Sequence, residues 1–338
     1  MQEQIKELKK LLDMPKDIVI TSHRNPDGDA IGSSLGLYHY LIQFGHNVRI
    51  AFPSEYPLVF AWMQDSDKIL IHDIEPETVN RHLEQADIIF TLDFNALDRV
   101  DKMGEVINSL PRTYKAMIDH HLNPEGYADF ILSDTTASST SELVWDFIKM
   151  MGDAAYLDKR IGECLYTGIV TDTGSFKFGT SPKLFRTVAD MLEHGVNDYV
   201  LQDLIFNRLP EKQLRLLGYC LNRRMEILDE FKTGIITLTK ADYDLFDIQR
   251  GDTEGIVNYL MTLKNVKMAA FIAEQPTIVK ISLRSKGDFN VQEICKEHFK
   301  GGGHKNASGG FSFAGLKATV ARLKEVLPRY KDKLNEPW

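Results

Sequence analysis

The chain has 338 residues, 43% of them hydrophobic and 26% charged, with a formal net charge of −8. That composition excludes wholesale disorder, collagen-like sequence and coiled-coil rods, and the length points to two domains. No uninterrupted apolar run, 268–273 included, exceeds six residues, far below the ~20 needed to span a bilayer.

The opening segment, MQEQIKELKKLLDMPKD, reads as a short amphipathic helix without the apolar core of a signal peptide. Residues 17–21 read as a strand and 31–44 as a helix. Further strands follow at 48–52, 87–92, 115–118 and 130–132, with helices at 138–151, 159–171 and 182–192. This rhythm predicts a largely parallel sheet covered by helices on both faces. Residues 194–225 turn helical and charged. A second mixed module then begins, with a strand at 234–239, a helix at 254–263 and strands at 267–273 and 277–283 joined around Gln275-Pro276. A helix at 291–299 leads into the glycine-rich loop 301–310, a strand at 311–313 and a closing helix from Leu316. The expected domains are 1–195 and 226–338, joined by a helical linker at 196–225.

Cys164, Cys220 and Cys295 are dispersed. They predict a reducing, cytoplasmic compartment, with neither a disulfide framework nor a zinc knuckle. The charge is uneven: from Glu226 onward 17 Lys and Arg face 15 Asp and Glu, so the acidity lies in the first half. A carboxylate-rich metal site there and an anion-binding surface beyond it would give this pattern, as would a solvated acidic face. The net charge argues against a duplex-DNA binder.

Four segments carry chemistry. His23, Asp27 and Asp29 lie within seven residues between a strand and a helix, where open α/β sheets place ligands. They could converge on a cation, although a polar turn with Asp29 as helix cap would look the same. Asp93 ends the apolar strand Phe90-Thr-Leu. Asp119, His120 and His121 end the apolar strand Met117-Ile, and Asp172 ends an apolar helical stretch at a Gly turn. In a parallel sheet the strand ends share one edge, so these groups could meet. Carboxylates gathered there repel one another unless divalent cations intervene, and a two-metal centre for phosphoryl transfer answers that. Mixed His and Asp ligands favour Mn²⁺, with Mg²⁺ as the alternative.

His23-x₃-Asp27-x-Asp29, Asp93, Asp119-His120-His121 and Asp172 resemble the four motifs of the DHH phosphoesterase superfamily. Gly301-Gly-Gly-His304 with Ala307-Ser-Gly-Gly310 resembles its DHH-associated C-terminal domain. The resemblance implies an α/β fold, with an N-terminal parallel-sheet DHH domain joined by a helical linker to a smaller mixed α/β domain. It implies two Mn²⁺, one held by His23, Asp27 and Asp93, the other by Asp29, Asp93, His120 and Asp172. An activated water would be the nucleophile, His121 would contact the scissile phosphate and protonate the leaving oxygen, and Asp119 would orient the histidines. In the second domain Gly301, Gly302 and Gly303 would bring backbone amides to an anion, and His304, Lys305, Asn306 and Ser308 would add donors. Arg284 would pair with a phosphate or stack on a base, with Arg99 a weaker contact. The size and domain order are most similar to the stand-alone branch that degrades short RNA and adenosine 3′,5′-bisphosphate. Its partners would be short single-stranded RNA or nucleotides, with no membrane and with a homodimer allowed. The alternatives are a cyclic- or linear-dinucleotide phosphodiesterase, an inorganic pyrophosphatase, and a non-catalytic nucleotide-binding module.

Overall fold

The computed structural model describes residues 2–208, 210–249 and 251–337, with Gln2 described by its backbone alone. The chain divides into two compact units, Met1–Arg208 and Leu209–Trp338, so the division falls inside the helical stretch 196–225. No helix among the described residues is long and apolar enough to cross a membrane.

The first unit runs α1 (Gln2–Leu12), β1 (Asp17–Ser22), α2 (Gly28–Leu41), β2 (Asn47–Phe52), β3 (Leu70–Ile71), α3 (Pro76–Gln85), β4 (Ile88–Leu92), α4 (Lys102–Asn108), β5 (Tyr114–Asp119), β6 (Phe130–Ser133), α5 (Thr140–Met150), α6 (Lys159–Asp172), α7 (Pro182–Glu193) and α8 (Asp198–Phe206). Its strands form one wholly parallel sheet in the order β3-β2-β1-β4-β5-β6. β1 and β4 read as near-continuous apolar runs because helices bury both faces of the sheet. Val19 and Ile89 pack against Val79 and Leu83 of α3 and Met103 and Ile107 of α4. Ile18, Ile20 and Phe90 face the larger core of α2, α5 and α6. The strand order reverses between β1 and β4, the position where sheets of this kind open a crevice at their C-terminal edge.

α2 and α6 lie against each other along a seam of glycines. A Cβ on Gly32 would fall 2.6 Å from the Cys164 carbonyl oxygen and 2.9 Å from the Gly168 nitrogen, while Gly28 abuts Thr171 and Gly36 abuts Leu165. That pairing is antiparallel, so the start of α2, with Asp29, meets the end of α6, with Asp172.

The second unit runs α9 (Glu211–Tyr219), β7 (Met225–Leu228), β8 (Thr233–Leu238), α10 (Lys240–Phe246), α11 (Ile256–Leu260), β9 (Met268–Glu274), β10 (Val279–Ser285), α12 (Val291–His298), β11 (Gly302–His304), β12 (Ala307–Ser312), α13 (Leu316–Val326) and α14 (Lys331–Asn335). The sheet order is β11-β12-β10-β9-β8-β7, with β8 and β9 parallel and the other pairs antiparallel. Here the structure corrects the sequence reading in three places. The helix expected at 254–263 is the single turn-and-a-half α11. The strand expected at 311–313 begins at Ala307. Most consequentially, 301–310 is not an open loop but holds the β11–β12 hairpin, with β11 on the edge of the sheet.

Candidate metal and phosphoryl-transfer site

Three neighbouring strands deliver the site. His23 follows β1, Asp93 follows β4, and Asp119, His120 and His121 close β5, so side chains far apart in sequence share one sheet edge. Asp93 is buried with a backbone φ of +64°, a left-handed conformation that costs a non-glycine residue energy and concentrates at functional sites. Its two carboxylate oxygens face different imidazoles. Oδ2 is 3.4 Å from His23 Nε2, and Oδ1 is 3.5 Å from His120 Nε2. His120 Nε2 also lies 3.4 Å from Asp172 Oδ2.

The donor atoms form three overlapping groups, His23–Asp27–Asp93, Asp29–His120–Asp172 and Asp93–His120–His121, each with its ligand atoms within 4.8 Å of one another. The structure therefore brings together His23, Asp27, Asp29, Asp93, Asp119, His120, His121 and Asp172. His23 Nδ1 lies 2.9 Å from the Arg24 carbonyl; a proton there leaves Nε2 as the ligand nitrogen.

Electrostatics mark the cluster as one that wants a cation. Burial, then the charges of Asp93 and Asp172, holds Asp29 well above the ordinary carboxylate range. Burial and neighbouring Asp27 push Asp172 up to about 8. Asp93 goes the other way: its burial is outweighed by hydrogen bonds from His120 and His23, which hold it well below its usual value. The imidazoles mirror it. Against the effect of burial, Asp93 raises His23 to about 9 and His120 to about 10. A divalent cation would satisfy the same carboxylates, and an oxygen-plus-imidazole set suits one.

Several supports were missed from sequence. The cap of α2 is Asp27, whose Oδ1 accepts the amides of Asp29 at 2.9 Å and Ala30 at 3.1 Å, not Asp29 as the turn reading allowed. Asp29 instead reaches α5, accepting the Thr140 amide at 2.6 Å and the Ser141 amide at 2.9 Å. Ser139 caps that helix by accepting the Glu142 amide. The Ser-x-x-Glu spacing was a legible start signal, but what the freed amides would hold was not. Arg24, next to His23, is clamped by a bidentate pair to Asp73 and by Asp101.

The remaining expected residues divide. Arg99 lies on the short turn after Asp93, where its carbonyl accepts the Arg24 amide, and its side chain has no ion pair among the described residues. Arg284, Gly302, Gly303, His304 and Ser308 belong to the second unit. Arg284 pairs with Ala307, and Ala307 with His304. Directly opposed residues share a face of a sheet, so guanidinium and imidazole flank a single methyl group. Burial lowers the Arg284 pKa. Ser308 corrects the sequence reading: it is buried and its hydroxyl donates to the His304 carbonyl at 2.7 Å. It braces the hairpin and is no outward-facing donor.

Residues 17–169 match the model described as DHH family, N-terminal domain, and residues 240–335 match the DHHA1 domain. The bifunctional oligoribonuclease and PAP phosphatase NrnA of Thermus thermophilus is 28% identical over 94% of this chain and 90% of that protein. The cyclic-di-AMP phosphodiesterase PdeA of Listeria monocytogenes is 23% identical over 88% of this chain, but over only 45% of its own length. A crystal structure of an exopolyphosphatase-related protein from Bacteroides fragilis superposes with a TM-score of 0.96 at 39% identity, covering 99% of this chain and 98% of that one.

Proposed function

This chain belongs to the DHH family and hydrolyses phosphoester bonds, and from that premise we propose that it degrades short RNA oligonucleotides to mononucleotides and removes the 3′-phosphate of adenosine 3′,5′-bisphosphate. One observation carries the reading: Asp93 is shared by the groups His23–Asp27–Asp93 and Asp93–His120–His121, and His120 links it in turn to Asp29 and Asp172. Full-length likeness to the oligoribonuclease and PAP phosphatase, against partial likeness to the cyclic-di-AMP enzyme, favours the short-RNA substrate. The protein acts in the cytoplasm on this reading.

His23, Asp27 and Asp93 would hold one Mn²⁺, and Asp29, Asp93, His120 and Asp172 the other. Bound there, the cations supply Lewis acidity at the phosphoryl oxygens and a nucleophile at neutral pH. The protein's own groups do the rest. Asp119 holds His121 by its Nδ1 at 2.8 Å, which turns Nε2 to the task of donating a proton to the leaving oxygen. Arg284 and His304 grip the terminal nucleotide's phosphate.

The test is the purified chain with Mn²⁺, given adenosine 3′,5′-bisphosphate, di- to pentanucleotide RNA, a long RNA, cyclic di-AMP and pyrophosphate. Turnover of the first two above the rest is expected. Pyrophosphate as the sole good substrate sinks the proposal, and preference for cyclic di-AMP replaces it with the sister activity.

A further inference from the structure

Thr140 opens α5, is completely buried, and touches two carboxylates at once. Its amide donates to Asp29 Oδ2 at 2.6 Å, and its hydroxyl donates to Asp93 Oδ1 at 3.1 Å. The amide contact would survive almost any substitution. The hydroxyl contact needs Ser or Thr.

The consequence lies in Asp93. A carboxylate that serves two groups must present one oxygen to each, and rotation about its terminal bond would tilt both away. The left-handed backbone at Asp93 sets where the side chain starts but not the plane of its carboxylate. A hydroxyl donor on Oδ1 distinguishes the two oxygens, leaving Oδ2 toward His23 and Oδ1 toward His120.

We propose that Thr140 is a positioning residue of the metal centre: its hydroxyl fixes the plane of the Asp93 carboxylate so that each oxygen faces one ligand group. The assignment rests on the reading of Asp93 as the shared ligand. Thr140 never meets the substrate, so its effect should appear in metal loading before it appears in turnover.

Thr140→Val keeps the shape and the amide and removes only the hydroxyl. The full chain, stripped and titrated with Mn²⁺ alone, is expected to bind the second ion about tenfold more weakly, the scale of one lost hydrogen bond to a charged group. The electron paramagnetic resonance spectrum of the loaded variant should lose the exchange coupling of a carboxylate-bridged pair. Thr140→Ser should restore both, with a melting temperature that does not track the effect. Wild-type affinity and coupling in Thr140→Val would overturn the assignment while leaving the metal centre standing. A wild-type chain that takes up no Mn²⁺ overturns the metal centre and the assignment together. If Thr140→Val does not fold, Thr140→Ser decides alone: loading weakened despite a retained hydroxyl overturns the proposal, and wild-type loading supports it.

Discussion

His121 Nδ1 lies 2.8 Å from Oδ1 of Asp119, a carboxylate completely buried at the end of β5. An ionised carboxylate only accepts, so Nδ1 carries the proton and chemistry falls to Nε2. His121→Ala should therefore keep its metal content and lose roughly 10²–10⁴-fold in kcat, the usual worth of a positioned general acid. Elemental analysis beside steady-state kinetics checks this. Metal loss as severe as that of an Asp93 variant would move His121 among the ligands, which the Asp93–His120–His121 grouping permits.

Asp93→Asn should be the most damaging change at any single ligand position. It removes the negative charge between His23 and His120 and so weakens both ligand groups together. Fewer than two Mn²⁺ per chain, with activity near background, is the expected result. Two tightly held ions in this variant would show that Asp93 is not shared.

The site was legible because apolar strands run straight into titratable residues: Phe90-Thr-Leu into Asp93, and Met117-Ile into Asp119, His120 and His121. Parallel strands share an edge, so convergence followed from the fold class alone. Other features left no such trace. Asp29 meets Thr140 across 111 residues through a backbone amide, a contact without any side-chain signature. The β11–β12 hairpin stayed hidden because glycines carry no alternating pattern from which a strand can be read. α3 buries only Val79 and Leu83, too thin an apolar stripe to announce a helix.

Metal uptake should release protons. In the metal-free site His23 titrates at about 9 and His120 at about 10, so both hold a proton at neutral pH that a metal ligand must surrender. Raising the pH toward those values removes the competing protons, and Mn²⁺ affinity should climb as pH rises from 6 to 8, by about tenfold per pH unit for each proton displaced. Titration calorimetry in buffers of different ionisation enthalpy counts the protons directly. Heats independent of buffer would refute the raised imidazole values.

Gly168 is a steric necessity of the Asp29 support. A Cβ there would lie 2.0 Å from Ser141 Oγ and 2.7 Å from Asp29 Oδ1. Gly168→Ala must push either the start of α5 or the carboxylate aside, at a cost of about 1–3 kcal/mol for overpacking. Thermal or chemical unfolding should register that loss, and Mn²⁺ binding should weaken with it. Gly218→Ala, where an added Cβ meets nothing within 4 Å, should leave metal binding unchanged. Equal stability and metal affinity for Gly168→Ala and wild type would contradict this packing.

Substrate grip should reside in the second unit. Arg284 has no carboxylate partner within ion-pair distance among the described residues, its Nη1 donates only to the Leu283 carbonyl at 3.0 Å, and burial already lowers its pKa. A half-buried cation in that position gains by meeting an anion. Across the sheet, Ala307 separates it from His304 and leaves the width of two strand spacings, about 10 Å, with no large side chain between. A terminal phosphate and its nucleotide would fill that gap. Arg284→Ala and His304→Ala should each raise KM for adenosine 3′,5′-bisphosphate and dinucleotides, by about 1.5–3 kcal/mol or roughly 10- to 150-fold per charged hydrogen bond lost. Both variants should retain their full metal content, because neither residue belongs to the ligand groups. Unchanged KM and kcat/KM for every short substrate would return recognition to the first unit and take the hairpin out of the site.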